Sequence, residues 1–476
     1  MRQISLSRGP SRVQWAIPAV SMLIGFLFFL RDLSDLHATV QHAMLLIWSI
    51  CTGNFVNFYS ISADSTIMIA MYGFVFYAII AIFLIPIAII LALFTGFDYT
   101  NATQVMLCVR YTQLVIVALL CLTAWFVGKL ARKLEYDSGT AKWAAYLYLA
   151  SPITLFADAV FWQYDVITLV FFITAMVFYV QHDYIKFSLI MSLAIACKMF
   201  AFFAFAPLIL FVEKRVLPLM KYGALGVSVT LVTELLQQKM PGYEIAKAQR
   251  AHLFSKLIDN GIPFSFGYVS LALVALALIT IYAYVSSPKS EEDFRHKAIY
   301  LAFISLALPF VLFQANTYWW ILVTPFLAIL IAGHPKMQEL MVLATGFFVF
   351  IIAHSVIFFS IYMDQNMING GVIPKLLGIK YSGLPSFQSI ADKLGLNLPQ
   401  VIYAFAIALM IGICVLCAQR MKLADAMVSG TSPLTRASAI TEPSVSTGTV
   451  YLYNAGLYVY ILPTFALFAR QILMGQ

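Results

Sequence analysis

The sequence predicts an all-α, polytopic transmembrane protein of about 11–13 membrane segments, and two observations carry that expectation. Of 476 residues, 62% are hydrophobic and only 11% charged, against about 45–50% and about 25% in soluble domains. Apolar runs of bilayer-crossing length, about 17–25 residues, also recur from one end of the chain to the other. No single water-soluble core can absorb so much apolar surface, so much of it must face lipid. A soluble cytoplasmic enzyme, a secreted disulfide scaffold and a disordered chain are thereby excluded. The excess of 29 basic over 21 acidic residues, a net charge of +8, belongs in the cytoplasmic loops of a membrane protein and does not indicate nucleic-acid binding.

Taken in order, Arg2, Arg8 and Arg12 precede the apolar run 15–30, with no small-residue cleavage site behind it. This pattern predicts a retained first helix with its N-terminus in the cytoplasm. The further membrane segments are expected near 66–94, 111–128, 142–160, 166–180, 186–212, 216–235, 262–286, 298–313, 318–333, 339–362, 400–418 and 449–472. Polar stretches separate them at 31–65, 236–261, 287–297, 363–399 and 419–447, the last rich in Ser, Thr and Ala and expected to be a connector. Cys414 and Cys417 lie inside an apolar run, where packing explains them better than redox or zinc chemistry. Two segments are too long for one simple crossing: 66–94 contains Pro86, and 186–212 contains Lys198 and Pro207. A broken segment of this kind is tolerated where it lines a cavity.

The positive-inside rule assigns the loop from Lys129 to Lys142, the Glu213-Lys214-Arg215 corner, the stretch 289–297, Lys336, and Arg420 with Lys422 to the cytoplasm. One topology satisfies all of these if both long segments return to the side they left. It places loops 31–65, 95–110, 236–261 and 363–399, together with the corners 162–165 and 314–318, on the external face. Loop 236–261, with Lys239, Lys247, Arg250 and Lys256, then breaks the rule. An anionic lipid headgroup is a natural partner for it.

Chemistry-bearing residues gather at the same places. Asp32, Asp35 and His37 follow the first helix, with His42 and Trp48 beyond. They are either a solvated helix end or, for Asp35 with His37, a general base or metal ligand in a membrane-facing pocket. Asp158, Trp162 and Asp165 share one face if their helix continues. An aromatic-plus-carboxylate set with Gln163 and Tyr164 suits sugar recognition, although an interfacial aromatic belt has a similar composition. Lys198 is the most isolated charge in an apolar run; it either pairs with an acidic residue or meets a phosphate, and the phosphate is favoured. Gln314, Tyr318 and the two tryptophans after it form either an aromatic belt or a cavity rim, while His354 is expected to be an interhelical hydrogen-bonder. No Walker loop, His-Glu-x-x-His helix or Gly-x-Ser-x-Gly elbow occurs, so ATP-driven transport and metalloprotease chemistry have no support.

The order of these motifs resembles the polytopic GT-C glycosyltransferases that use lipid-phosphate sugars, in particular the GPI mannosyltransferase I group and the bacterial polyprenol-phosphate-dependent mannosyltransferases. The resemblance spans residues 13–335. It is carried by the acidic pair after the first helix, Tyr72, Ser151-Pro152, Trp162-Gln163-Tyr164-Asp165, the Lys198 helix, and the aromatic turn 314–320 before Pro325. It implies a GT-C-like membrane catalytic module over 1–335. The C-terminal helices then occupy 336–476, with an external loop at 363–399 and a cytoplasmic linker at 419–447. It also implies that an acidic residue of the first external loop is the catalytic base, which points to Asp35 with Asp32 as the rival. His37 stands where the family's Asp-x-Asp pattern has its second Asp, so a divalent metal has no support, and Tyr-Pro-Pro is altered to Tyr72-Gly-Phe.

The implied reaction is an inverting transfer of mannose or another sugar from a polyprenyl-phosphate donor to a glycan or glycolipid acceptor. Lys198 and Arg250 would meet the phosphate. His37, Trp162, Gln163, Tyr164, Asp165, Gln314 and Tyr318 would contact substrate. The competing expectations are a secondary transporter or lipid-linked-glycan flippase, and an O-antigen polymerase or ligase, although loop 363–399 lacks the Arg and His such a polymerase would use. A bacterial plasma membrane is expected over an endoplasmic reticulum, where the Asn101-Ala-Thr103 sequon would matter.

Overall fold

The computed structural model describes residues 3–5, 9–31, 34–64, 68–259, 261–265, 267–358, 366–378, 385–396, 398–428 and 444–474. These are almost wholly helical, as the apolar runs require. A membrane-embedded backbone satisfies its hydrogen bonds only within a helix or a closed barrel. Among the described residues, six helices are long and apolar enough to cross a bilayer: α4 (Phe74–Phe94), α5 (Ala102–Lys133), α11 (Val216–Gln237), α14 (Glu291–Leu312), α16 (Met337–Phe358) and most of α20 (Pro399–Val428). Two bent pairs raise the number to eight. One is α6 (Ser138–Leu149) with Pro152–Val160, bent by 43°, and the other is α21 (Thr447–Ala455) with α22 (Tyr458–Met474), bent by 54°. The shorter apolar helices are α1 (Arg12–Phe28), α8 (Val166–Tyr179), α9 (Tyr184–Cys197), α10 (Ala201–Val212) and α13 (Leu271–Val285). The protein is therefore a multi-pass, all-α membrane protein. α14 is mostly enclosed by other helices, whereas α11 turns nearly all of its surface outward, as a lipid-facing helix does.

Several stretches read as loops contain helices. The segment 31–65 contains α2 (Asp35–Cys51) and α3 (Phe58–Asp64). Segment 236–261 is mainly α12 (Tyr243–Asp259), and within 363–399 lie α17 (Asn366–Asn369), α18 (Val372–Leu376) and α19 (Phe387–Lys393). The expected span 262–286 begins instead as a hairpin of β2 (Gly261–Phe264) and β3 (Gly267–Ser270), and its helix starts only at Leu271. A second antiparallel pair joins β1 (Gln3–Ser5) to β4 (Ser444–Ser446), tying the N-terminus to the entry of the last helical pair.

The long segment 186–212 breaks at Lys198. α9 ends at Cys197, Lys198 is extended (φ −147°, ψ 111°), and α10 starts at Ala201. The two run back along each other: Phe187 stacks on Phe205, and Phe211 of α10 stacks on Phe294 at the start of α14. The pair therefore returns to the end from which it came. Segment 66–94, by contrast, contains one helix, α4, that begins only at Phe74 with Pro86 inside it.

Basic loops collect at one end of the molecule. Arg295 bonds Glu135 and Glu291, His182 lies 3.1 Å from Glu291, and Lys214 donates to the Ala283 carbonyl. The opposite end holds the C-terminus of α1 and the N-termini of α2 and α8. There the Leu30 amide donates to the Met367 carbonyl at 2.8 Å, closing the 366–378 segment over α1.

Candidate functional site

A sharp corner organises the second end. Pro152 opens α7 (Pro152–Leu155), which widens into a π-helical turn over Phe156–Val160. α1 crosses that turn at Gly25, where a Cβ would sit 1.9 Å from the Ala159 carbonyl oxygen, so only glycine permits the approach. The helix does not continue to Asp165. Trp162 takes a left-handed conformation (φ 56°), the Gln163 amide bonds back to the Ala157 carbonyl at 2.8 Å, and α8 restarts at Val166. The expectation that Asp158, Trp162 and Asp165 share one helical face is therefore corrected. The π turn and the reversal at Trp162 send the three side chains into different surroundings. π turns and left-handed non-glycine residues both concentrate at functional sites.

Trp162 points inward. It is fully buried and donates its indole N–H to the Phe29 carbonyl at 2.5 Å. This corrects its assignment as a ring for sugar stacking: it is the wedge that holds the corner to the end of α1. Gln163 donates to the Asp35 carboxylate at 3.1 Å, and Tyr164 donates its hydroxyl to that of Tyr72 at 3.0 Å. Asp35 stands in the first turn of α2, whose N-cap Ser34 accepts from the His37 amide at 3.3 Å. A carboxylate there is favoured by the helix N-terminus. His37 is half-buried beside it, and Asp32 lies outside the described residues.

Asp165 and Lys198 meet. The Lys198 ammonium lies 2.9 Å from the Asp165 Oδ1, and the two side chains are 8% and 1% exposed. Of the two readings open for Lys198, the structure selects the acidic partner, so Lys198 is not the solitary phosphate cation that was favoured. The reason is physical: a lone ammonium removed from water costs several kcal/mol, and a directly hydrogen-bonded carboxylate offsets it. The ammonium also sits over the rings of Trp319 (5.2 Å) and Tyr72 (5.8 Å). Asp35 is close enough to interact electrostatically with Asp165, Lys198 and Tyr72.

Next to this pair is a cavity of about 160 Å³, with Tyr72, Lys198, Thr230, Arg250 and Trp319 among its lining residues. Arg250 reaches it from α12, held 3.6 Å from Glu234 of α11 and over the Tyr243 ring, while the Tyr243 hydroxyl donates to Glu234 at 2.6 Å. Gln314 and Tyr318 do not line the cavity. Gln314 is exposed, left-handed (φ 56°) and 3.2 Å from His354, and Tyr318 stacks on Phe161 at 5.2 Å, bracing the corner. Trp319, one residue on, lines the cavity instead, because the 3-10 turn Thr317–Leu322 rotates adjacent side chains by about 120°.

Tyr72, Trp319, Thr230 and Glu234 are the site-forming residues that sequence reasoning did not single out as ligands. Glu234, a lone carboxylate late in an apolar helix, was the readable signal. Among the described residues, no group of three or more His, Cys, Asp or Glu side chains could hold a metal ion.

Asn101 of the sequon caps α5, accepting from the amides of Thr103 and Gln104 at 3.0 and 3.2 Å.

The fold and this site define the class of protein: a multi-pass, all-α integral membrane protein with a largely apolar cavity at one end of its helices, into which two ion-paired cations, Lys198 and Arg250, and two aromatic rings reach. No protein-family model matches the chain, and no curated protein matches it by sequence.

Proposed function

We propose that the protein is an inverting glycosyltransferase of the membrane, moving a sugar from a polyprenyl-phosphate donor to a glycan or glycolipid acceptor. The observation that carries this reading is a carboxylate, Asp35, held by Gln163 within electrostatic reach of Lys198 and Tyr72, which line a cavity together with Arg250. Asp35 accepts the proton of an acceptor hydroxyl. That oxygen attacks the anomeric carbon as the bond from carbon to phosphate oxygen breaks, and the electron pair leaves with the polyprenyl phosphate. Lys198 and Arg250 face the developing phosphate charge, where fixed cations lower the barrier most. Trp319 and Tyr72 offer ring faces to the sugar. α11, which contributes Thr230 to the cavity and otherwise faces outward, offers the lipid tail an apolar surface next to it. The basic loops at the far end suit the cytoplasmic side, which supports an external or luminal cavity and, as the favoured setting, a bacterial plasma membrane.

One observation also fits a secondary transporter or flippase: the helix broken at Lys198 beside a cavity, the device by which broken-helix transporters bind substrate. A single experiment separates the two. Purified protein is incubated with radiolabelled polyprenyl-phosphate mannose, glucose or arabinose and a membrane lipid extract, and release of polyprenyl phosphate is followed. Release that requires the extract and disappears in Asp35→Asn, with the unfolding temperature retained, supports the transferase and identifies its donor. No consumption of any donor by well-folded protein would favour the transporter.

A further inference from the structure

The charges around the cavity do not balance in favour of an anion. Lys198 carries the nearest positive charge, and Asp165 already occupies it at 2.9 Å. Arg250 is matched by Glu234. Asp165 faces Lys198 in the break after α9, Asp158 from the preceding π turn, Asp35 from α2, Tyr72 from the segment before α4, and Cys197 from the end of α9. Two carboxylates, Asp165 and Asp35, thus act on one ammonium, and Asp158 adds a third negative group beside Asp165. Asp165 is 1% exposed, and its Oδ2 has no hydrogen-bond partner among the described residues; both oxygens of the fully buried Asp158 are likewise without one. A phosphate drawn to Lys198 must therefore compete with Asp165, and a buried carboxylate that loses its ion-pair partner is disfavoured unless it is neutralised.

Resting on the reading of this cavity as a phosphate site, we infer that binding of an anionic phosphodiester at Lys198 displaces Asp165 and is coupled to the uptake of one proton by Asp165. The balance is simple: the ammonium exchanges one oxyanion for another, a proton from solvent joins Asp165 Oδ, and no covalent bond of the ligand changes. Donor binding then arms the site, because Lys198 turns from a structural cation into a ligand of the phosphate only when Asp165 is neutral. Release of the phosphate returns the proton and restores the pair.

The test is calorimetric titration of the full chain in detergent with geranylgeranyl methyl phosphate, a phosphodiester whose single charge does not titrate near neutrality. Two buffers of different ionisation enthalpy report the protons exchanged. The expected result is net proton uptake on binding, with Kd rising as the pH is raised. Asp165→Asn should bind with no proton uptake and with a flat pH dependence. Binding without proton uptake by the unmodified chain overturns the coupling and leaves the phosphate site standing. Uptake that persists in Asp165→Asn overturns the role of Asp165. Absence of binding overturns both. If Asp165→Asn does not fold, the two-buffer measurement on the unmodified chain still decides for or against the coupling.

Discussion

Trp162 and Gln314 both adopt left-handed backbone conformations, yet they serve different ends. Such a conformation costs a non-glycine residue about 1–3 kcal/mol and persists only where surrounding contacts hold it. At Trp162 those contacts are a buried ring and the N–H bond to the Phe29 carbonyl. Trp162→Phe keeps most of the ring but removes that bond and leaves a buried carbonyl unpaired. It should therefore lower stability by about 1–3 kcal/mol, read as a fall in the detergent unfolding temperature. Gln314 is exposed, and its side-chain contact among the described residues is with His354. Gln314→Gly relieves the strain as it loses that contact, so stability should stay within about 1 kcal/mol of the parent and sugar transfer should continue. A large loss of transfer in stable Gln314→Gly protein would return Gln314 to the substrate-contacting residues.

At the scale of elements, the break between α9 and α10 depends on its ion pair. Lys198 leaves the helix to meet Asp165 at the head of α8, and neither residue has a second ion-pair partner among the described residues. Removing one partner strands a buried charge, for which about 3–5 kcal/mol is typical. Lys198→Met should therefore destabilise strongly, and adding Asp165→Leu should recover most of that loss, because the second change removes the stranded charge. A double-mutant cycle on unfolding temperature checks this; additive effects would mean that the pair is not what holds the break. Element boundaries were legible where hydropathy is continuous. The run 166–180 became α8 and the run 216–235 became α11. α2 and α12 were not legible as helices, because half-polar helices lying against other elements carry no long apolar run. The β2–β3 hairpin was hidden for the opposite reason: its apolar residues continue without a break into α13.

For the whole molecule, α2 joins the membrane helices to the site, and its stability sets an acid limit. α2 is not among the helices apolar and long enough to span a bilayer. Its His42 is buried between the Met68 carbonyl at 2.5 Å and Ser62 at 3.5 Å. Burial pushes its pKa down to about 4, and the bond to Met68 offsets only part of that effect. The unfolded chain, with an ordinary imidazole near about 6.5, binds the proton more readily. Stability is therefore fully present above about pH 6.5 and falls as the pH drops toward about 4, by roughly 3 kcal/mol at most. Unfolding temperatures recorded between about pH 8 and about pH 5 should show this slope, and His42→Asn should flatten it. An unchanged slope would assign the acid limit to another group.

The sequence by itself determined that the chain is an all-α, multi-pass membrane protein, and it located most of the apolar helices. Hydropathy records, residue by residue, whether a helix faces lipid or water, and a one-dimensional signal suffices for that. It also marked Asp35, the 162–165 corner, Lys198 and Arg250 as chemically unusual, because charges next to long apolar runs are costly and so stand out. Only the tertiary structure decided their partners. Asp165 neutralises Lys198, Gln163 holds Asp35, Trp162 turns into the core, and Trp319 rather than Tyr318 lines the cavity. Each of those pairings joins elements distant in sequence. A buried charge finds its counter-charge through the packing of helices in three dimensions, which the spacing of residues along one helix does not record.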